Sequence, residues 1–249
     1  MNWTISSQTL INHAGKLAAA FVLYAFLRQV GFYNLTAREA EGLGVLIQLV
    51  GDIYAVLLAF MIFVIWGQFT DVENCVIREC DSVDDLLRFS AYLNAEAAAT
   101  IRRAITAYTR QVLNSEWLAL GDGQKDDQAE KLFLRVVNSV IEATPQKEAE
   151  QMMRLRLIDM VQRTSQCRDE RVAKSLTRIP PTLAGLVNLI AGVLLLLIFV
   201  YPFHHWIAGV SCFIIVAVVL FLANFVLMDT DNPLKGTWNV SPEPFARIH

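Results

Sequence analysis

The sequence predicts an all-α, polytopic membrane protein with four transmembrane helices and a cytoplasmic helical domain between the second and the third. Residues 183–203 and 206–228 carry no charged side chain, and residues 43–67 carry a single one, Asp52. At about 1.5 Å per helical residue, each run is long enough to cross the roughly 30 Å of hydrocarbon in a bilayer. The composition agrees, because a 249-residue chain that is 55% hydrophobic is more apolar than an ordinary soluble domain.

The first apolar segment, residues 17–27, is short and is followed by Arg28. Extended to residues 14–33 it reaches about 20 residues, a length that suits either a span or a helix in the membrane interface. Counted as a span, it completes the predicted domain organisation. The domains are a first transmembrane pair over 1–67, a cytoplasmic helical domain over 68–182, a second transmembrane pair over 183–228 and a cytoplasmic tail over 229–249.

Basic residues set the predicted orientation. Sixteen of the 21 Lys and Arg residues lie within residues 68–182, whereas the loops on the other side hold Arg38 and the pair His204–His205. Because positively charged flanks stay in the cytoplasm, this asymmetry places residues 68–182 and both termini there. Eighteen of the 24 Asp and Glu residues lie in the same region, which nets about –2. A balance of this kind is not the footprint of a nucleic-acid-binding protein.

The central region is predicted to be helical because apolar residues recur there at steps of three and four. Ile101, Ile105, Tyr108 and Val112 form one such stripe. Gly121–Gly123, Pro145 and Pro180–Pro181 are the predicted breaks between helices. An acidic stripe (Glu73, Asp81 and Asp84) and a basic stripe (Arg163, Arg171, Lys174 and Arg178) suit either two solvated faces or a pair of antiparallel helices.

One row of the second span is the candidate ion pathway. Gln48, Asp52, Val56 and Phe60 follow one another at steps of four, which places a polar entry above an apolar constriction. An ionised carboxylate is costly in lipid, so Asp52 should face water or a protein partner. The alternative is that Asp52 lies at the outer interface and pairs with Arg28. A ring of such carboxylates in an oligomer would favour cations.

Motifs for catalysis or cofactor binding are absent from the sequence. It contains no phosphate-binding glycine loop, no His-Glu-x-x-His and no nucleophile elbow, so neither an enzyme nor a cofactor is expected. The four cysteines form no Cys-x-x-Cys pair and suit a reducing compartment. The spacing of Asp122, Asp126 and Asp127 does not fit a calcium-binding loop, and the adjacent histidines point apart, so no metal site is expected.

A set of residues resembles the signature of the bestrophin-like domain family of bacterial membrane proteins. The resemblance begins in the second span, continues through the central region with paired arginines and ends in a tail of the type Asp-x-Pro-hydrophobic-x-Gly. Leu234 departs from it, because phenylalanine is more usual there. The matching residues are Gly51, Tyr54, Leu57, Leu58, Ala59, Phe60, Trp66, Gln68, Glu79, Leu87, Arg88, Arg102, Tyr108, Glu116, Trp117, Arg168 and Arg171.

The resemblance implies kinship with bestrophins, which are pentameric anion or cation channels whose second span lines the pore. It therefore implies a homo-oligomer in a bacterial inner membrane, with a pentamer as the stoichiometry, and with lipids and inorganic ions as the other partners. Four helices bundle without a lumen, so a pore needs several copies. The alternative function is a non-conducting scaffold or sensor whose cytoplasmic helices recruit a partner.

Overall fold

The computed structural model describes residues 37–248, and within that range every regular element is helical. The predicted all-α class is therefore confirmed. The segment 14–33, expected to be the first span, and Arg28, the suggested partner of Asp52, lie outside the described residues.

Eight α-helices make up the described chain. A π-helical turn, Val112–Glu116, joins the second helix to the third without a break. The helices are α1 (Ala37–Ser90), α2 (Ala95–Gln111), α3 (Trp117–Gly121), α4 (Asp127–Ile141), α5 (Glu148–Ser175), α6 (Pro181–Val200), α7 (Trp206–Thr230) and α8 (Glu243–Ala246).

Two compact units divide this chain. The first, called here the apolar unit, holds the described residues up to Ile65 together with Ile179–Asp231. The second, the polar unit, holds Trp66–Arg178 and the described residues from Asn232 onward. Helix α1 contributes residues to both units.

The apolar unit consists of the first part of α1 with α6 and α7. Its core contains Tyr54, Met61, Val187, Leu194 and Phe213. By length and composition, α1, α6 and α7 can each cross a membrane, which makes three candidate spans among the described residues. Only 17% to 22% of their most apolar stretches is buried within the chain. Most of this surface is therefore left for lipid or for other protein.

The polar unit is built around α2, α4 and α5, which pack their apolar stripes together as amphipathic helices require. The stripe predicted on α2 is confirmed as core, since Ile101, Ile105, Tyr108 and Val112 are all buried. The C-terminal segment belongs to the same unit. Its side chains Val240, Phe245 and Ile248 are buried in this core.

Local sequence accounts for several helix ends. Asn94 accepts a hydrogen bond from the N–H of Ala97 at the start of α2, and Asp126 caps α4 in the same way. Gly123 has a φ of 77°, which favours glycine directly after α3 ends. Pro181 is the first residue of α6, where its missing N–H costs nothing. The predicted breaks at Gly121–Gly123 and Pro180–Pro181 are confirmed.

Helix α1 extends beyond the predicted second span. The apolar run stops at residue 67, but α1 continues without interruption to Ser90. Gly67 lies at this boundary, but a single glycine costs a helix only about 1 kcal/mol, and residues 68–72 contain no proline that would stop it. The span and the acidic helix after it are one element of 54 residues.

Candidate functional site

The four residues of the candidate pathway all lie on the surface of the apolar unit. Gln48 and Asp52 are exposed, Val56 is 69% exposed and Phe60 is 55% exposed. Tyr54 and Met61, by contrast, are buried in the core of that unit. Within the described residues 37–248, this row is therefore exposed over three steps of four residues, or about 18 Å of helix length.

Asp52 forms no ion pair with any residue of the described range 37–248. Its suggested partner Arg28 lies outside that range, so the choice between a water-facing carboxylate and an ion-paired one stays open. The row itself remains a prediction.

A second cluster of candidate residues lies inside the polar unit, where five charged or phenolic side chains meet in the core. α1 supplies Glu79, α2 supplies Tyr108, and the π-helical turn supplies Glu116. α5 supplies Arg168 and Arg171. None of the five is more than 4% exposed. The two carboxylates balance the two guanidinium groups, as buried charges require.

Arg171 is the centre of this cluster. Its Nε donates to Glu79 Oε2 at 2.6 Å, and its Nη2 donates to Glu116 Oε2 at 2.6 Å. The hydroxyl of Tyr108 donates to the other oxygen of Glu79. Arg171 therefore joins α1 to the π-helical turn through short, charge-assisted hydrogen bonds.

Arg168 extends the cluster to the surface. Its Nη2 donates to Glu116 Oε1 at 2.8 Å, and its Nη1 donates to Glu130 Oε2 at 2.8 Å. Glu130 lies on α4 and is half exposed. The guanidinium carbon of Arg168 also lies 5.6 Å from the ring centre of Phe133. One chain of ion pairs thus connects α1, the π-helical turn, α5 and α4.

Protonation states follow from this environment. Burial raises the pKa of Tyr108 well above its ordinary value, and the charge of Glu79 raises it further, so Tyr108 is a neutral donor. Burial alone would lower the pKa of Arg171, but the negative charges of Glu79 and Glu116 outweigh it and the pKa is raised. Burial and the neighbouring Glu79 likewise raise the pKa of the Cys80 thiol, which makes it a poor nucleophile.

The acidic and basic stripes are not paired residue by residue as the sequence suggested. α1 and α5 do form ion pairs, but Asp71 binds Lys174 at 2.8 Å, Glu170 binds Arg78 at 2.8 Å, and Glu79 binds Arg171. Asp84 instead pairs with Arg88 one turn away on its own helix, and Arg163 pairs with Asp159. Neither Asp81 nor Asp84 of the acidic stripe is a partner of Arg171, so pairing of the two stripes through these residues is wrong.

A periodic signal for the cluster was present in the sequence. Val72, Val76, Glu79 and Val83 follow one another at steps of four, three and four, so Glu79 occupies an apolar position of α1. On α5, Arg168 and Arg171 continue in the same way the stripe that begins at Leu157, Val161 and Thr164. A charged residue at a position of the helical period that faces the core predicts a buried partner of opposite charge.

The cluster is almost fully buried in the polar unit. No group of three or more metal-ligating side chains occurs in the described part of the chain. The chemistry of the cluster is that of a fixed junction between helices.

Comparisons with known proteins agree with this architecture. The family model described as "Bestrophin-like domain" matches residues 15–245. The fold is similar to a crystal structure of a bacterial bestrophin homologue from Klebsiella pneumoniae, with a TM-score of 0.64 and 14% identity over 96% of this chain and 94% of that one.

A single-substitution variant of that homologue gives a TM-score of 0.62 and 11% identity over 92% of this chain and 90% of the other. No curated protein matches the sequence. The solved structures thus share the fold with this chain, and the residues of the buried cluster are among those that carry the resemblance to the family.

Proposed function

The chain belongs to the bestrophin-like domain family, and from this premise we propose that it forms a homo-oligomeric ion channel in the bacterial inner membrane, with α1 lining the pathway. The observation that carries the proposal is the exposed row of Gln48, Asp52, Val56 and Phe60. An ionised carboxylate in an apolar helix is costly in lipid, so Asp52 needs water or a protein partner. In a ring of copies around a water-filled axis, water solvates that carboxylate.

Several copies are needed for a pore. The described spans bury little of their apolar surface within one chain, and a bundle of three or four helices encloses no lumen. Kinship with bestrophins supports five copies. The carboxylates of the row support a preference for cations, because a ring of them attracts cations. A ring of large apolar side chains below it can close the pathway by excluding water.

A scaffold or sensor is the alternative function, and one surface feature favours it. The polar unit exposes large apolar side chains, with Met152 71% exposed, Leu155 61% exposed and Leu134 49% exposed. Such side chains suit contact with another protein. A protein that recruits a partner without conducting would show no ion flux in liposomes, which separates the two functions.

The proposed orientation can be tested with a thiol reagent that does not cross membranes. Cys75 is fully buried and is unsuitable, whereas Cys167 is partly exposed in the polar unit. If residues 68–182 are cytoplasmic, Cys167 should be unlabelled in intact cells and labelled after permeabilisation, as read by mass spectrometry. Labelling of Cys167 in intact cells would reverse the orientation.

Asp52→Asn is expected to reduce cation flux severalfold, or to shift selectivity away from cations, in proteoliposomes. The substitution keeps the size of the side chain and removes the charge that concentrates cations at the entry. Glu73→Gln is the matched control, because Glu73 is also exposed on α1 but lies beyond the apolar run. Light scattering in detergent should show the same oligomer mass for both variants and wild type.

The contrary outcome for Asp52 is equally distinct. Unchanged flux together with a lower melting temperature would identify Asp52 as a structural partner, and the proposed row would be wrong.

Phe60→Ala should raise ion flux severalfold. Phe60 is the largest side chain of the row, and its removal widens and wets an apolar constriction. Ile62→Ala is the control, since Ile62 is 50% exposed but lies on another side of α1. Equal increases in both variants would mean that membrane packing, and not a constriction at Phe60, limits the flux.

A further inference from the structure

A groove between α2 and α4 of the polar unit takes no part in the proposed pathway. Its volume is about 490 Å³, within the range of small-molecule sites. Ala104, Ala107 and Leu132 provide an apolar floor. Arg103 of α2 and Arg135 of α4 both line the groove, so it combines apolar surface with two guanidinium groups.

Neither arginine is neutralised by a carboxylate. Within residues 37–248, Arg103 and Arg135 form no ion pair. Two other exposed arginines of the same unit, Arg78 and Arg88, each bind a carboxylate within 2.8 Å. Two uncompensated positive charges on one groove repel each other, and a bound anion would relieve that repulsion.

The remaining polar groups suit the same kind of ligand. Arg103 is held along its own helix, because its Nε donates to Ala99 O at 3.3 Å and its Nη2 to Thr100 Oγ1 at 3.2 Å. Asn138 adds an exposed amide to the lining. The one carboxylate of the lining, Glu142, forms no ion pair with Arg103 or Arg135 among the described residues. It leaves the arginines free to bind an anion.

We propose that this groove binds a phosphate-bearing anion, with Arg103 and Arg135 as the phosphate ligands and the alanine–leucine floor in contact with an apolar part of the molecule. Guanidinium groups suit phosphate because their planar fork donates two parallel hydrogen bonds to its oxygens. The ligand can be a free phosphorylated small molecule or the headgroup of a phospholipid. The inference is independent of conduction, because it concerns binding to the polar unit alone.

Calorimetric titration of the purified full-length protein in detergent tests the proposal, with pyrophosphate as the soluble probe and short-chain phosphatidate as the lipid probe. At least one probe should bind saturably to wild type. Arg103→Gln combined with Arg135→Gln should weaken that binding at least tenfold, which corresponds to about 1.4 kcal/mol. Binding of phosphatidate alone would identify a lipid headgroup as the ligand.

The matched control is Arg110→Gln combined with Lys131→Gln. These residues are exposed on the same two helices, lie outside the groove and remove the same charge. If both pairs of substitutions weaken probe binding equally, the effect is one of general electrostatics and the proposal is overturned. Absence of saturable binding to wild type would also overturn it. Each single arginine variant should weaken binding too, so the test holds if the double variant folds poorly.

Discussion

Replacing Arg171 with methionine should lower the free energy of unfolding by about 3–5 kcal/mol, the cost typical of breaking a buried ion pair from one side. The side chain is fully buried, and its loss leaves Glu79 without an ionic partner. Glu116 keeps only Arg168. Chemical unfolding of the detergent-solubilised protein measures the effect.

Arg163→Met is the control for this experiment. Arg163 lies on the same helix but pairs with Asp159 at the surface, where an ion pair contributes at most about 1 kcal/mol.

Adding Glu79→Gln to Arg171→Met should restore part of the loss, because the uncompensated carboxylate is removed. In a chain carrying Arg171→Glu, neither Asp81→Arg nor Asp84→Arg should restore stability. Strict additivity of Glu79→Gln and Arg171→Met would contradict the pairing.

Phe245→Ala should lower the free energy of unfolding by about 3–5 kcal/mol, because it empties a large volume in the core. Phe245 lies in α8, is 1% exposed and packs with Trp117 at a ring-centre distance of 6.4 Å. Its ring also covers the guanidinium group of Arg171, whose central carbon is 5.4 Å from the ring centre. The same unfolding measurement applies.

Trp238 provides the comparison within the C-terminal segment. It contacts Trp66 at a ring-centre distance of 5.2 Å but remains 55% exposed. Trp238→Ala should therefore cost less than half as much as Phe245→Ala. If the two substitutions cost the same, the segment is held mainly by its aromatic contacts with α1 and not by the core beneath α8.

The spans near the C-terminus could be placed from the sequence almost residue by residue. Absence of charge is a local property, so the predicted run 206–228 agrees closely with α7 at Trp206–Thr230. The end of α1 could not be placed in this way. The change of hydropathy at Gly67 marks a change of environment, and a helix can cross such a boundary when no proline stops it, because a single glycine costs only about 1 kcal/mol.

The buried cluster shows a different limit. Periodicity indicates that Glu79 and Arg171 both point inward, but 92 residues separate them along the chain. Which inward charges meet depends on the rotation and offset of α1 against α5. The sequence offered exposed partners such as Asp81 with equal justification, so only the packed structure could assign the pair. The proposed pathway row faces the same limit, because its orientation in the proposed oligomer depends on other copies.

The π-helical turn that ends at Glu116 also bears on how this chain has diverged from its relatives. Glu116 follows Tyr108 by eight positions, so in a regular α-helix the two side chains would lie about 80° apart around the helix axis. The turn holds one residue more than an α-helical turn, which reduces that angle to about 20°. Relatives that have an unbroken α-helix here should therefore have one residue fewer between the corresponding tyrosine and glutamate. An alignment of this chain with such relatives needs a one-residue gap at that place.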